Sequence, residues 1–179
     1  MQLVSPSKRF FASFQQSLVE WQGAHQDGAG IRDAGVLTTK VGFSRWVEQL
    51  QAEEATPRGQ GFVTCTYYWM VEEDEYLGSI ALRHELNDVV GEFVGHVGYS
   101  VRPSARGRGI AGRALRSMLV VARDRGFERV LLTCDALNVA SRRVIERCGG
   151  EWENSVTDGG GNRIERFWMT PPSGGPSAR

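Results

Sequence analysis

The chain has 179 residues, of which 41% are hydrophobic and 23% charged, and its 21 basic and 21 acidic side chains leave no net charge. That length suits one domain with a real core, and the composition excludes a disordered chain. No apolar run is long enough to span a bilayer, and no basic start followed by an apolar stretch marks a secretory signal. Cys65, Cys134 and Cys148 form no CxxC pair, so the expectation is reduced thiols in a cytoplasmic protein with no metal site.

In chain order, two amphipathic helices come first. Residues 6–22 place Phe10, Phe11, Phe14, Leu18 and Trp21 at helical spacing, and residues 42–54 place Phe43, Trp46, Val47 and Leu50 on one side. A glycine-rich loop, 23–35, joins them. Residues 66–72 and 77–83 read as a β-hairpin around the acidic run 72–75, and residues 93–101 read as a further strand carrying Gly95 and Gly98. A long helix follows over about 109–125 and closes at Gly126. A short buried strand, 129–134, leads to a helix over 138–147 that ends at Gly149-Gly150. Residues 152–156 and 164–169 predict a final hairpin, and the Pro/Gly/Ser-rich segment 171–179 predicts disorder. The result is a single mixed α/β domain over 1–170, with six to seven strands and one β-α-β unit at its heart.

Charge is unevenly distributed along this order. Residues 70–92 hold seven acids against Arg83, and residues 102–129 hold eight arginines against Asp124 and Glu128. The basic stretch suits an anionic ligand, and the acidic stretch before it suits a cationic one. The arginines surround one helix and one turn with no aromatic interleaving, so nucleic acid is not expected as a partner, nor is a membrane.

Residues 101–112, Val-Arg-Pro-Ser-Ala-Arg-Gly-Arg-Gly-Ile-Ala-Gly, predict a strand-to-helix turn whose backbone N–H groups bind a pyrophosphate. A helix N-terminus leaves its first N–H groups unpaired and partly positive, and glycines let an anion approach the backbone. Two readings compete. Gly107-x-Gly109-x-x-Gly112 matches a dinucleotide fingerprint. Against it, Arg102 to Arg106 separate the strand from the first glycine, and only one β-α-β unit is available.

The other reading is coenzyme A. Arg106-x-x-Gly109-x-Ala111 matches the R/Q-x-x-G-x-G/A signature of the GNAT N-acetyltransferases. Gly95-His-Val-Gly-Tyr-Ser-Val-Arg-Pro103 resembles that family's central strand, and Asn138-x-x-Ser141-x-x-x-Ile145-Glu-x-x-Gly149-Gly150 resembles its second acyl-CoA segment. Leu77-Gly-Ser-Ile-Ala-Leu-Arg-His84 and Arg166-Phe-Trp-Met169 resemble a subgroup of bacterial acetyltransferases of unassigned substrate. The likeness is strong over about 60–170 and weak over the first helices.

The resemblance implies direct transfer of an acetyl group from acetyl-CoA to an amine of a small molecule or protein. It implies a pyrophosphate cradle from Arg106, Gly107, Arg108, Gly109, Ile110 and Ala111. The strands 93–101 and 129–134 would splay, and the backbone of Tyr99, Ser100 and Val101 would pair with the pantetheine arm. Asn138 and Ser141 would touch that arm, although Asn138 is also a good helix cap. Ile145 stands where many members carry a tyrosine acid, and Cys134 or Tyr99 could replace it. Glu92 and His96 are the candidate bases, with His84 behind them. The missing tyrosine keeps a non-catalytic acyl-CoA-binding module as an alternative. The resemblance also allows a homodimer through exposed sheet edges. It does not name the acceptor.

Overall fold

The computed structural model describes residues 1–32 and 34–173. Eleven elements follow one another: β1 (Gln2–Val4), α1 (Phe11–Trp21), α2 (Lys40–Ala52), β2 (Cys65–Glu72), β3 (Glu75–Arg83), β4 (Val97–Val101), α3 (Ile110–Asp124), β5 (Val130–Asp135), α4 (Val139–Arg147), β6 (Glu151–Thr157) and β7 (Arg163–Met169). The strands form a seven-stranded mixed sheet in the order β1-β2-β3-β4-β5-β7-β6. Only β4 and β5 run parallel; every other neighbouring pair is antiparallel.

Helices cover both faces because successive side chains of a strand point to opposite sides. On β2, Trp69 and Val71 join Phe10, Phe14, Phe43, Trp46 and Leu50 from the α1–α2 side, whereas Met70 joins the core under α3. The aromatic side is dense. Phe14 lies 4.8 Å from the Trp46 ring and 5.1 Å from Phe43 and Tyr76, in tilted and edge-on contacts. Each such fully buried ring contributes roughly 1.5–3 kcal/mol from area alone. On the other face α3 buries Ile110, Ala114, Leu115, Met118, Leu119 and Ala122 against Ile80, Leu82, Val97 and Leu132. Arg102, at the exit of β4, is buried and ties α1 to the sheet: its Nε donates to Glu20 Oε1 at 2.7 Å.

The structure adds to or departs from the expected pattern in three places. The N-terminal residues form β1, an edge strand that the sequence pattern does not announce. The strand expected from residue 93 begins at Val97, because Val90–Val94 wind into a wide helical turn closed by Gly95 N–H donating to the Val90 carbonyl at 2.6 Å. The acidic run 72–75 sits beside the start of α3, where Arg108 and Arg113 pair with Glu72 and Arg102 pairs with Glu75. Glu73 and Asp74, which stand between Glu72 and Glu75, make no ion pair among the described residues. The expected disorder of residues 174–179 falls outside the described residues.

Candidate active site

The central feature is a parting of β4 from β5. The two strands share one paired position, Val97 with Leu132. Just before it Gly95 has a φ of 74°, and a Cβ there would lie 2.7 Å from the Leu131 carbonyl oxygen, so only glycine allows the approach. Beyond Val97 the strands separate. The register with β3 decides which backbone groups this leaves free. Arg83 N–H donates to the His96 carbonyl and Arg102 N–H to the Leu77 carbonyl, so His96, Gly98, Ser100 and Arg102 turn their backbone groups to β3. Val97, Tyr99 and Val101 turn theirs toward β5. Tyr99 and Val101 therefore face a gap, with an N–H and a C=O each and no strand partner. Arg106 Nε takes up the Val101 carbonyl at 3.2 Å. Of the three residues expected to present backbone to a ligand, Ser100 is committed to β3. Its buried Oγ has no hydrogen-bond partner among the described residues.

The gap opens toward the start of α3. Gly107 and Gly109 have φ values of 76° and 71°, and a Cβ at either would meet nothing within 4 Å. Backbone conformation therefore demands glycine at both positions, and the space in front of them is open. Gly109 caps α3 without a side-chain hydrogen bond. Among the described residues, no N–H from Gly107 to Gly112 donates to a protein acceptor; the first that does is Arg113, to the Gly109 carbonyl at 3.2 Å. Six consecutive free donors at the positive end of a four-turn helix are able to receive an anion.

A cleft of about 1100 Å³ runs from these donors along the gap to the far side of β4. Tyr99, Ser100, Val101, Arg106, Gly107 and Gly109 line it, as do Ile110, Ala111, Asn138 and Ser141. Arg108 does not; its guanidinium reaches Glu72 at 2.6 Å instead. Asn138 is a helix cap, accepting from Ser141 N–H at 3.0 Å. Tyr99 crosses the gap, and its hydroxyl lies 2.9 Å from Ser141 Oγ. Burial pushes the Tyr99 hydroxyl up to about 12, against the opposing effect of the Ser141 contact, so it stays protonated at neutral pH. Cys134 also lines the cleft, and burial raises its thiol to about 11. Ile145 is fully buried on the inner face of α4.

The structure does not bring the expected bases to this cleft. Glu92 is exposed on the wide turn, outside the lining, and Arg166 holds its carbonyl. His96 is 7% exposed, and its Nδ1 accepts from Leu131 N–H at 2.8 Å, bracing the β4–β5 junction. Burial and the nearby Arg83 charge lower its pKa to about 4. His84 is occupied by Thr66, 2.8 Å away. Of the three histidines, only His25 lines the cleft, where Asp27 lies 3.0 Å from its Nε2.

Two groups at the far end were not singled out by sequence. Glu53 is 3% exposed although it directly follows a helix, and it collects Arg58 Nε at 2.7 Å and the Tyr67 hydroxyl at 2.8 Å. Its burial has no local sequence signal; only the spacing of an arginine five residues later hints at it. Arg83 ends β3 and projects into the same space.

Across residues 19–151 the sequence matches the family model described as an acetyltransferase (GNAT) domain. No curated protein sequence matches it at a significant level. Among solved structures, it is similar to a Salmonella typhimurium acetyltransferase that modifies the N-terminal serine of ribosomal protein L7/L12, with a TM-score of 0.65, 15% identity, and coverage of 94% of this chain and 93% of that one. It is similar to the ribosomal L7/L12 α-N-protein acetyltransferase RimL in complex with coenzyme A (TM-score 0.68, 15% identity, 94% and 92% covered). It is also similar to the microcin C7 self-immunity acetyltransferase MccE in complex with acetyl-CoA and AMP (TM-score 0.66, 13% identity, 94% and 91% covered). At these identities the structures establish the fold, and one parallel strand pair rules out the two-halved dinucleotide fold weighed above. The family model, matching most of a chain that folds around a splayed β4–β5 pair, settles membership: the protein belongs to the GNAT acetyltransferase family.

Proposed function

We propose that this protein transfers an acetyl group from acetyl-CoA to an amine. The observation that carries the reading is the continuity of the cleft, which joins six free N–H donors at α3 to unpaired backbone on β4. The donors of Gly107 to Gly112 suit the pyrophosphate, and Arg106 adds charge beside them. Tyr99 and Val101 suit the pantetheine amides as a partial extra strand, with Asn138 and Ser141 on the opposite wall.

The amine nitrogen attacks the thioester carbonyl carbon, a C–N bond forms, the C–S bond breaks, and coenzyme A leaves as a thiolate. Tyr99 is the acid we assign to that thiolate, in place of the absent tyrosine at Ile145. Its protonated hydroxyl stands in the gap, oriented by Ser141. His25, paired with Asp27, is the base we assign to the acceptor's ammonium proton, through water at the mouth of the cleft.

Calorimetry with acetyl-CoA, followed by thiol release with a panel of amines, tests this. Binding with release is the expected result, and absence of acetyl-CoA affinity would overturn the reading. Binding without release on any amine would instead support a non-catalytic acyl-CoA module, which the buried Ile145 favours.

A further inference from the structure

At the far end of the cleft one positive charge has no carboxylate partner among the described residues. Of these residues, six arginines line the cleft as a whole, against the acids Asp27, Glu53 and Asp135. At the far end the buried Glu53 already serves Arg58, in an ion pair whose side chains are 5% and 10% exposed. Arg83 is different. It is half-buried, and among the described residues it pairs with no carboxylate. The one hydrogen bond of its guanidinium among the described residues is Nη1 donating to the Gly95 carbonyl at 3.2 Å. That bond fixes the guanidinium beside the point where β4 leaves β5, and a Cβ on Gly98 would lie 3.4 Å from Nη1. Nε–H and the Nη2 hydrogens have no partner among the described residues. Together they form the planar fork that matches the two oxygens of a carboxylate.

A half-buried guanidinium with a free fork costs solvation unless a ligand returns it. The cleft that Arg83 enters is also lined by the apolar side chains of Phe62, Val63, Val89, Val90 and Phe93. The acids that follow it in sequence, Glu85, Asp88 and Glu92, are outside the lining. We infer that Arg83 binds a carboxylate of the acceptor, so that the substrate class is a small amine bearing a free carboxylate and an apolar group, as an α-amino acid does. This rests on the acetyltransferase reading above and replaces the cationic acceptor that the acidic run suggested. A protein N-terminus, whose first residue has no free α-carboxylate, satisfies the fork poorly.

The test compares apolar α-amino acids with their amides in thiol release at saturating acetyl-CoA, for the native protein, Arg83→Gln and Arg83→Lys. Acetyl-CoA affinity by calorimetry is measured in parallel as the control for fold and donor site. The native protein should prefer the acids by about tenfold or more in kcat/KM, the value of a charge-assisted bidentate contact. Arg83→Gln should erase that preference by raising KM for the acids, with amide turnover and acetyl-CoA affinity unchanged. Arg83→Lys keeps charge without the fork and should recover only part of it. Equal use of acids and amides by the native protein, or an equal loss on both in Arg83→Gln, would overturn the inference while leaving the acetyltransferase reading intact. Loss of acetyl-CoA binding in the native protein would overturn both.

Discussion

Gly28 rests on Gly98 with no room for a side chain: a Cβ on Gly28 would lie 2.1 Å from the Gly98 carbonyl oxygen. Gly28 also has a φ of 69°. The loop after α1 is thereby pressed onto β4 beside the parting of the strands, and it brings His25 and Asp27 to the cleft. Gly28→Ala adds left-handed strain and a backbone clash. It should cost roughly 1–3 kcal/mol in denaturant unfolding. It should also raise KM for the amine more than it weakens acetyl-CoA, since the displaced loop lines the acceptor side. Unchanged stability in this variant would contradict the contact.

Protonation of His96 should make the fold acid-sensitive. Its folded pKa of about 4 lies below the free value of 6.5, so between these values the unfolded chain takes up a proton that the folded one refuses. Stability is then full above about pH 6.5 and falls as pH drops toward 4. Glu20 extends the loss lower, because its hydrogen bond from Arg102 holds it at about 2 against an ordinary 4.5. Chemical denaturation from pH 7 to pH 4 should show the decline, and His96→Gln should flatten it. A decline of equal slope in that variant would assign it elsewhere.

Activity should separate the histidines. His25→Ala should lower kcat/KM by roughly 10- to 100-fold and remove an inflection from the pH–rate profile, the usual scale for losing a general base. Glu92→Gln should leave the profile unchanged, as should His96→Gln at pH values where it stays folded. A profile that moves with Glu92 would restore the base expected from sequence.

For the acid, Tyr99→Phe is the decisive substitution. It removes one hydroxyl and keeps the ring packed, so kcat should fall roughly tenfold while KM for acetyl-CoA holds. The modest size reflects how well a thiolate leaves unaided. A normal kcat would place the proton elsewhere, with Ser141 the next group to substitute.

Much of this was legible in the primary structure because it is local. Helix periodicity set α2 to α4 within about two residues and α1 within five, and the glycines of 107–112 marked the turn whose N–H groups are free. Gly95 and Gly98 signalled close backbone approach, and both are in such contacts. What failed was non-local. Residues 93–96 have strand-like side chains, but the left-handed Gly95 ends a wide turn there, which carries Glu92 away and folds His96 inward. β1 is three residues long and exists through its pairing with β2. The acidic run reads as uniform charge in sequence, whereas the fold pairs Glu72 with Arg108 and Arg113 and Glu75 with Arg102. Arg83 read as one basic residue among acids, and only the fold separates it from them.

The free N–H groups of Gly107 to Gly112 are the groups we assign to the pyrophosphate of acetyl-CoA. Equilibrium binding of acetyl-CoA to the native protein, Gly109→Ala and Gly109→Glu tests that assignment most directly, with thermal unfolding to confirm the fold. Both variants carry the same left-handed strain, about 1–2 kcal/mol, but only the glutamate sets a carboxylate against the phosphates. The account predicts binding by the native protein, modest weakening in Gly109→Ala and loss in folded Gly109→Glu. Equal affinity in the two variants would contradict it.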